Sequence, residues 1–213
     1  MSKHFDEAKF ALSLRDELRK YLRETKKNPQ WNEKIKEALT QSREYKRQRA
    51  KAHKTAEAIV AFLRSFQGGR YGNITKQSVP LLREGLREIR LKLLKLGRHT
   101  KLDTIDLQHH GIQKLIMELF RKASTSLNKR KVQYTCAAKV LFVLEPDLFP
   151  LWDGGIRESL GCAKNAEGYL NFMWRMQNLL RNKEVRRVLE RQPFKLRALD
   201  ACLWREFSTS KIR

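Results

Sequence analysis

Cysteine is scarce in this chain, and its spacing excludes the structures that cysteine usually builds. The 213 residues include three cysteines, Cys136, Cys162 and Cys202, which are odd in number and far apart. A disulfide framework or a four-cysteine metal cluster is therefore not expected. The five histidines have no metal-binding spacing relative to these cysteines. We expect a reduced protein that has no metal cluster and uses no cofactor.

Long apolar runs are also missing. No segment approaches the ~20 consecutive apolar residues that a membrane-spanning helix requires. The first 24 residues, MSKHFDEAKFALSLRDELRKYLRE, mix charged and apolar residues without the uninterrupted hydrophobic region of a secretory signal. We expect an intracellular protein, in the cytoplasm and nucleoid or in a nucleus, that does not enter membranes.

Acidic residues are few compared with basic ones. The chain has 46 lysines and arginines against 23 acidic residues, a formal net charge of +23 and a pI of about 10.3. A field of this sign attracts polyanions and increases their rate of encounter with the protein. Nucleic acid is the partner that this charge favours, and an anionic membrane surface is the alternative. No strongly one-sided helix with exposed bulky apolar residues supports the membrane alternative.

Strand-like alternation is absent, whereas apolar residues recur at helical spacing along most of the chain. The length and the 41% hydrophobic content suffice for a real core. We expect a single all-α domain over residues 1–213, a multi-helix bundle in which residues 1–67 form an N-terminal helical elaboration and residues 75–207 form the main core. The predicted helices cover residues 3–26, 31–66, 78–97, 105–123, 132–144, 154–160, 167–181, 184–191 and 195–207.

Basic residues cluster in residues 43–54, 121–131 and 181–197. Solvated helix faces explain most such runs. The second cluster differs because its last members, Lys129, Arg130 and Lys131, lie in a predicted turn directly before an apolar helix. Basic side chains and free backbone N–H groups at a helix start suit a phosphate, so we assign this turn to DNA binding.

One lysine occupies an otherwise apolar segment, VQYTCAAKVLFVLEPDLFPLWDGG at residues 132–155. The predicted helix has apolar residues on nearly every side, which indicates a buried helix around Lys139. Burial disfavours the ammonium form of a lysine, and the neutral amine is a nucleophile. The alternative is a structural lysine whose four-carbon stem lets the ammonium reach solvent.

Asp153 follows on a Trp-Asp-Gly-Gly corner, just before a short predicted helix. Its simplest role is to cap that helix. The loop EPDLFPLW is also long enough to turn the chain back, so that the start of the short helix can face Lys139. A buried amine opposite an ionised carboxylate suits chemistry through a cationic intermediate, because the amine attacks while the carboxylate stabilises positive charge.

The segment AAKVLFVLEPDLFPLWDGGIRESLG resembles the catalytic segment of the helix-hairpin-helix DNA glycosylase superfamily, most closely the branch of 8-oxoguanine-glycosylase-like proteins. The resemblance covers residues 132–161 best. In that family a lysine at the end of the hairpin motif attacks the sugar C1′, and an aspartate at the next helix start orients the nucleophile and stabilises oxocarbenium-like charge. The resemblance gives Lys139 the first role and Asp153 the second. The segment RALDACLWREF is similar, more loosely, to a closing helix of such proteins.

Aromatic residues are candidates for a base pocket, because a glycosylase flips its target base out of the duplex and stacks it against aromatic or apolar groups. The candidates here are Trp152, Trp204 and Phe207. The glycine-rich segment QGGRYGN also places Arg70 and Tyr71 on a loop from which they can contact DNA; a plain helix connection is the alternative.

These features predict a DNA repair glycosylase of the base excision type that is also a lyase. Lys139 would displace the damaged base and then support strand cleavage at the abasic site. The expected partner is a damaged DNA duplex or an abasic site. The alternative is a non-enzymatic nucleic-acid-binding protein on the same scaffold.

Overall fold

The computed structural model describes residues 5–27, 29–65, 74–97 and 100–209, and its regular structure is entirely helical. The all-α prediction is therefore confirmed. No helix in this part of the chain is both long enough and apolar enough to cross a lipid bilayer. The α-helices of the described residues are α1 (Glu7–Lys27), α2 (Pro29–Arg47), α3 (Ala52–Arg64), α4 (Ser78–Leu96), α5 (His110–Thr125), α6 (Tyr134–Leu144), α7 (Gly154–Ser159), α8 (Ala166–Arg181), α9 (Lys183–Leu189) and α10 (Lys195–Thr209).

Helices α2 to α6 pack in the order of the chain, each against its successor. Helix α6 also contacts α2 and α3, so it closes this group. Residues 136–144, which make up most of α6, are all buried. A helix without an exposed face of its own is therefore the central element of this half of the molecule.

Among the remaining helices, α10 packs against α1, α7 and α9, and α8 packs against α5 and α9. An ion pair of 3.1 Å between Glu17 of α1 and Arg205 of α10 joins the first and last helices. Leu14 and Leu203 belong to the same hydrophobic core as α6. Residues from the predicted N-terminal elaboration thus share one core with the rest of the bundle.

The single helix predicted over residues 31–66 is wrong, because the structure has two helices there. Gln48 adopts an extended conformation, and a 3-10 turn at Arg49–Lys51 follows before α3 starts. The Thr55 hydroxyl, fully buried, hydrogen-bonds to the carbonyls of Gln41 and Lys51 at 3.0 Å each. The bond to Gln41 joins the start of α3 to α2, and the dense positive charge of residues 43–54 disfavours a continuous helix.

The start of the helix predicted over residues 105–123 is also wrong. The corresponding helix, α5, begins at His110. Gln177 of α8 is buried and donates hydrogen bonds to the carbonyls of Leu102 at 2.6 Å and Ile105 at 2.8 Å. A buried side-chain amide thus satisfies carbonyls that a helix would otherwise use. The segment before α5 remains irregular and anchors α8.

Candidate functional site

Lys139 lies in the middle of α6, and only 3% of the residue is exposed. Its neighbours Ala137, Ala138 and Val140 are completely buried. The predicted buried helix is therefore present. This low exposure argues against the alternative in which the ammonium of Lys139 reaches solvent.

The chain turns back directly after α6. The backbone N–H groups of Leu148 and Phe149 donate to the carbonyl of Glu145 at 3.1 and 3.0 Å, which forms the turn. The hydroxyl of Tyr169, on α8, donates to the carbonyl of Pro150 at 2.9 Å. This buried bond fixes the corner that leads to Asp153.

Asp153 is the N-cap of α7, as its position before two glycines predicts. Its Oδ1 accepts a hydrogen bond of 2.9 Å from the backbone N–H of Ile156, whose side chain is buried. A carboxylate in this position is favoured by the positive end of the helix dipole. Gly154 is exposed, and a Cβ added there would meet nothing within 4 Å. The first turn of α7 is therefore open to solvent at Gly154.

A third ionisable residue, Asp200 of α10, lies near both predicted residues. It is 3% exposed, and its Oδ2 accepts a hydrogen bond of 2.8 Å from Arg197. Burial raises the pKa of Asp200 to about 7, although the charge and the hydrogen bond of Arg197 oppose the shift. The charge of Asp153 raises this pKa further and that of Lys139 lowers it, so Asp200 lies within electrostatic range of both.

The other carboxylate oxygen of Asp200, Oδ1, is buried and has no hydrogen-bond partner among the described residues. The indole nitrogen of Trp152 is likewise buried and has no hydrogen-bond partner among the described residues. Buried polar atoms are normally satisfied, and exceptions often have a binding or catalytic role. Sequence reasoning missed Asp200, although the signal resembled that of Lys139: one charged residue in the apolar segment ALDACLW.

Trp152 is a core residue in this structure, with 2% exposure. Its ring centroid lies 5.6 Å from that of Phe120, 5.4 Å from that of Tyr169 and 6.3 Å from that of Phe172. This cluster supports the corner next to Asp153. A direct part for Trp152 in a base pocket stays a prediction.

Trp204 has a different environment, since half of it is exposed. It lies one helical turn after Asp200, so the two side chains share a face of α10. Phe207 continues this face and is partly buried, with its ring 5.3 Å from that of Phe5. Trp204 is therefore an exposed aromatic side chain next to the buried carboxyl. Arg70 and Tyr71 lie outside the described residues.

The basic turn before α6 is exposed but well fixed. The side-chain oxygen of Asn128 accepts hydrogen bonds from the backbone N–H groups of Arg130 at 2.8 Å and Lys131 at 3.1 Å. Lys129 is exposed beside them. The side chain of Gln133, the N-cap residue of α6, makes no capping hydrogen bond. Lys139 follows the start of α6 by ~7.5 Å along the helix axis.

The cysteine thiols are poor candidates for a nucleophile. All three are buried, and burial raises the pKa of Cys136 to about 11 and that of Cys202 to about 12. Thiols of this kind stay protonated near neutral pH and react slowly. Within the described ranges, no group of three or more His, Cys, Asp or Glu side chains is arranged to hold a metal ion.

Comparisons with family models, curated proteins and solved structures gave no match to this chain. A function for the site therefore has to be argued from its own chemistry. That chemistry consists of a buried amine, a carboxylate held at a helix start and a buried carboxyl whose pKa is about 7.

Proposed function

We propose that this protein is a DNA glycosylase with abasic-site lyase activity and that Lys139 is its nucleophile. The observation that carries the proposal is a lysine with 3% exposure on a buried helix, within electrostatic range of a buried carboxyl that the charge of Asp153 also affects. Burying charged groups is costly, so their presence together is weakly explained by stability and better explained by chemistry.

The reaction begins with the neutral amine of Lys139. As Nζ forms a bond to the sugar C1′, the glycosidic bond breaks, and the departing base takes the electron pair and a proton. The attached amine loses a proton, the sugar ring opens, and a Schiff base joins Lys139 to C1′. Loss of a proton from C2′ then expels the 3′ phosphate and breaks the strand, and water finally releases the lysine.

The two carboxyl groups have different roles in this scheme. Asp153, held by the N–H of Ile156, stabilises the positive charge that develops on the sugar. Asp200 accepts the proton that the ammonium of Lys139 must lose, since a pKa of about 7 suits a general base near neutral pH. Arg197 holds Oδ2 of Asp200, and Oδ1 remains to take the proton.

The remaining roles belong to the surface around the site. The turn at residues 129–131 binds phosphates, and Trp204 provides an exposed ring against which an extruded base stacks. Because Lys139 is enclosed, a flipped nucleoside reaches its amine only when neighbouring side chains move apart. Rearrangements of this kind on binding occur in a substantial minority of complexes.

The same enclosure favours a second candidate, a nucleic-acid-binding protein without enzymatic activity. In that case Lys139 only balances the charges of Asp153 and Asp200 inside the fold. The basic turn and the net charge of +23 would serve binding alone.

Borohydride trapping distinguishes the two functions. Wild-type protein is incubated with duplexes that carry 8-oxoguanine, uracil, hypoxanthine or an abasic site, and the reduced Schiff base is detected as a covalent adduct. We expect an adduct with wild type, none with Lys139→Gln, and continued DNA binding by the variant.

The matched control is Lys114→Gln, which removes the same charge from an exposed position on α5. It should trap DNA as wild type does. Undiminished trapping by Lys139→Gln would show that another amine reacts. Absence of trapping by the wild type on every duplex would favour the non-enzymatic function.

A further inference from the structure

A shallow pocket with a volume of about 350 Å³ is formed by α9, its C-cap residue and the first residue of α10. It is lined by Lys183, Arg186, Arg187, Glu190 and Lys195, and we call it the α9 concavity. Four of its five lining residues are basic. It is separate in sequence from the turn at residues 129–131 and from the Lys139 site.

The local structure of α9 explains why these charges point outward. The side chain of Asn182 caps the helix by accepting hydrogen bonds from the N–H groups of Glu184 at 2.9 Å and Val185 at 3.4 Å. Val185 and Leu189 are completely buried and anchor one face in the core. Lys183, Arg186 and Arg187 on α9 and its C-cap residue Glu190 recur at i, i+3, i+4 and i+7 and therefore occupy the opposite face. Packing does not require basic side chains there.

The charges of the α9 concavity are not balanced by the protein. None of its four basic side chains forms an ion pair or side-chain hydrogen bond with another described residue. Elsewhere on the surface basic residues do pair between helices, for example Lys122 with Glu88 at 2.6 Å. Four cations around one carboxylate repel one another, and a bound anion would relieve that repulsion.

We infer that the α9 concavity binds phosphodiester groups of nucleic acid, as a second contact beside the turn at residues 129–131. This inference rests on the DNA substrate of the proposed function. Arg186 and Arg187 can each offer two parallel N–H groups to phosphate oxygens. A membrane-docking helix would instead present bulky apolar residues beside its cations, whereas Val185 and Leu189 are buried.

The position of α10 gives this contact a direct relation to the candidate site. Lys195 begins α10, and Asp200 follows ~7.5 Å further along the helix axis. Lys139 lies at a similar axial distance from the start of α6, which follows the basic turn. Each basic surface therefore adjoins the start of a helix that carries a residue proposed for chemistry, Lys139 on α6 and Asp200 on α10.

The test compares the salt dependence of binding to a lesion-free duplex. In the concavity variant, Lys183, Arg186, Arg187 and Lys195 are all replaced by Gln. We expect its affinity at a fixed moderate salt concentration to fall by about tenfold or more, and its slope of log K against log salt to decrease by roughly two to four, because each lost phosphate contact removes ~0.9.

A control variant replaces Lys36, Lys54, Arg83 and Arg87 by Gln. These four residues are exposed on α2 to α4 and make no ion pair with a described residue, so the net charge changes equally. We expect a much smaller change of slope. If both variants lose the same slope, binding reflects net charge alone and the inference fails.

Glu190→Gln provides a test in the opposite direction. It removes the one carboxylate of the α9 concavity from an exposed position, so folding is not at risk. A phosphate in the concavity would then be repelled less, and we expect about threefold tighter DNA binding. Unchanged or weaker binding would contradict a phosphate contact there.

Two further measurements separate this inference from other outcomes. If the concavity variant keeps its affinity for DNA but loses binding to phosphatidylserine vesicles, the surface binds membranes and the inference is wrong. Wild-type borohydride trapping is scored independently. If the concavity variant has a reduced salt slope but wild type gives no adduct, the proposed lyase is refuted and the phosphate contact at the α9 concavity stands. If wild type gives an adduct but the salt slope of the concavity variant is unchanged, only the phosphate contact is refuted.

Discussion

Asp200 and Asp153 show how the environment of a single residue decides its chemistry. Asp153 is partly buried, and its side chain accepts a hydrogen bond at a helix start, where the positive end of the helix dipole favours negative charge. Asp200 is enclosed in the core beside Arg197, and its pKa of about 7 makes proton exchange possible near neutral pH. Two carboxyl groups with such different environments can divide the roles of electrostatic stabiliser and base between them.

The raised pKa of Asp200 predicts a pH-dependent stability. The pKa of this carboxyl rises from 3.8 to about 7 on folding, mainly through burial. Between these values the folded protein keeps a proton that the unfolded chain has lost. The contribution of Asp200 to the free energy of unfolding is therefore fully present below the lower value, falls as pH rises, and is lost once pH passes the upper value.

Asp200→Asn removes this titration and keeps an acceptor for Arg197. We expect the loss in free energy of unfolding between about pH 5 and about pH 8, measured with urea, to be smaller in Asp200→Asn than in wild type. Asp147→Asn, which changes an exposed carboxylate, should keep the wild-type difference. Equal differences in wild type and Asp200→Asn would contradict the raised pKa.

At the scale of elements, the sequence predicts those helices whose ends it encodes locally. Helix α6 follows its predicted range closely, because a dense apolar pattern precedes Pro146, which cannot continue a helix. The break between α2 and α3 has no such signal. It depends on Thr55, whose two acceptors include Gln41 on the neighbouring helix. Likewise the late start of α5 depends on Gln177, which is distant in sequence.

The residues of the candidate site also differ in whether a local stretch of sequence identifies them. Lys139 and Asp153 are joined by one short loop, so both could be named as candidate site residues from residues 132–155 alone. Asp200 could not be, because its proximity to them requires α10 to pack against α7. The surface on α9 was visible as a basic run, but its unbalanced charge depends on which carboxylates come near in the folded chain.

Asp153 acts both as the N-cap of α7 and as a charge in the site, and two substitutions separate these roles. Asp153→Asn keeps an oxygen for the N–H of Ile156 but removes the charge. We expect its single-turnover base release to fall by ~10²-fold with a small change in stability. Asp153→Ala also loses the cap, so its free energy of unfolding should fall by ~1 kcal/mol.

The control for capping is Asn165→Ala. Asn165 caps α8 through a hydrogen bond of 2.8 Å to the N–H of Gly168. Its removal should lower stability by a similar amount without slowing base release. Base release by Asp153→Asn at the wild-type rate would show that Asp153 only caps the helix.

At the scale of the whole molecule, the net charge is +23, and the basic clusters differ in how many of their side chains form ion pairs. The basic run at residues 43–54 is partly neutralised, since Lys46 pairs with Glu145 at 2.8 Å and Lys51 with Glu44 at 3.6 Å. The side chains of residues 129–131 have no ion pair within the described part of the chain. The turn before α6 and the outer face of α9 thus carry groups of basic side chains that are unpaired among the described residues, and a polyanion would be drawn to such groups.

Replacing Lys129, Arg130 and Lys131 together by Gln tests the first of these surfaces. We expect weaker binding to a lesion-free duplex and a slope of log K against log salt reduced by roughly two to three, in proportion to the lost phosphate contacts. The turn itself should keep its shape, because Asn128 holds it through backbone N–H groups. Trapping by Lys139 should consequently recover when protein is saturating, since the substitutions weaken binding and leave the amine in place. Replacing Lys36, Lys54 and Arg83 by Gln gives the same loss of charge from other exposed positions and should reduce the slope less. If the slope of the 129–131 variant equals that of wild type, phosphates do not bind at this turn, and the charge of the molecule must act through α9 or through its field as a whole.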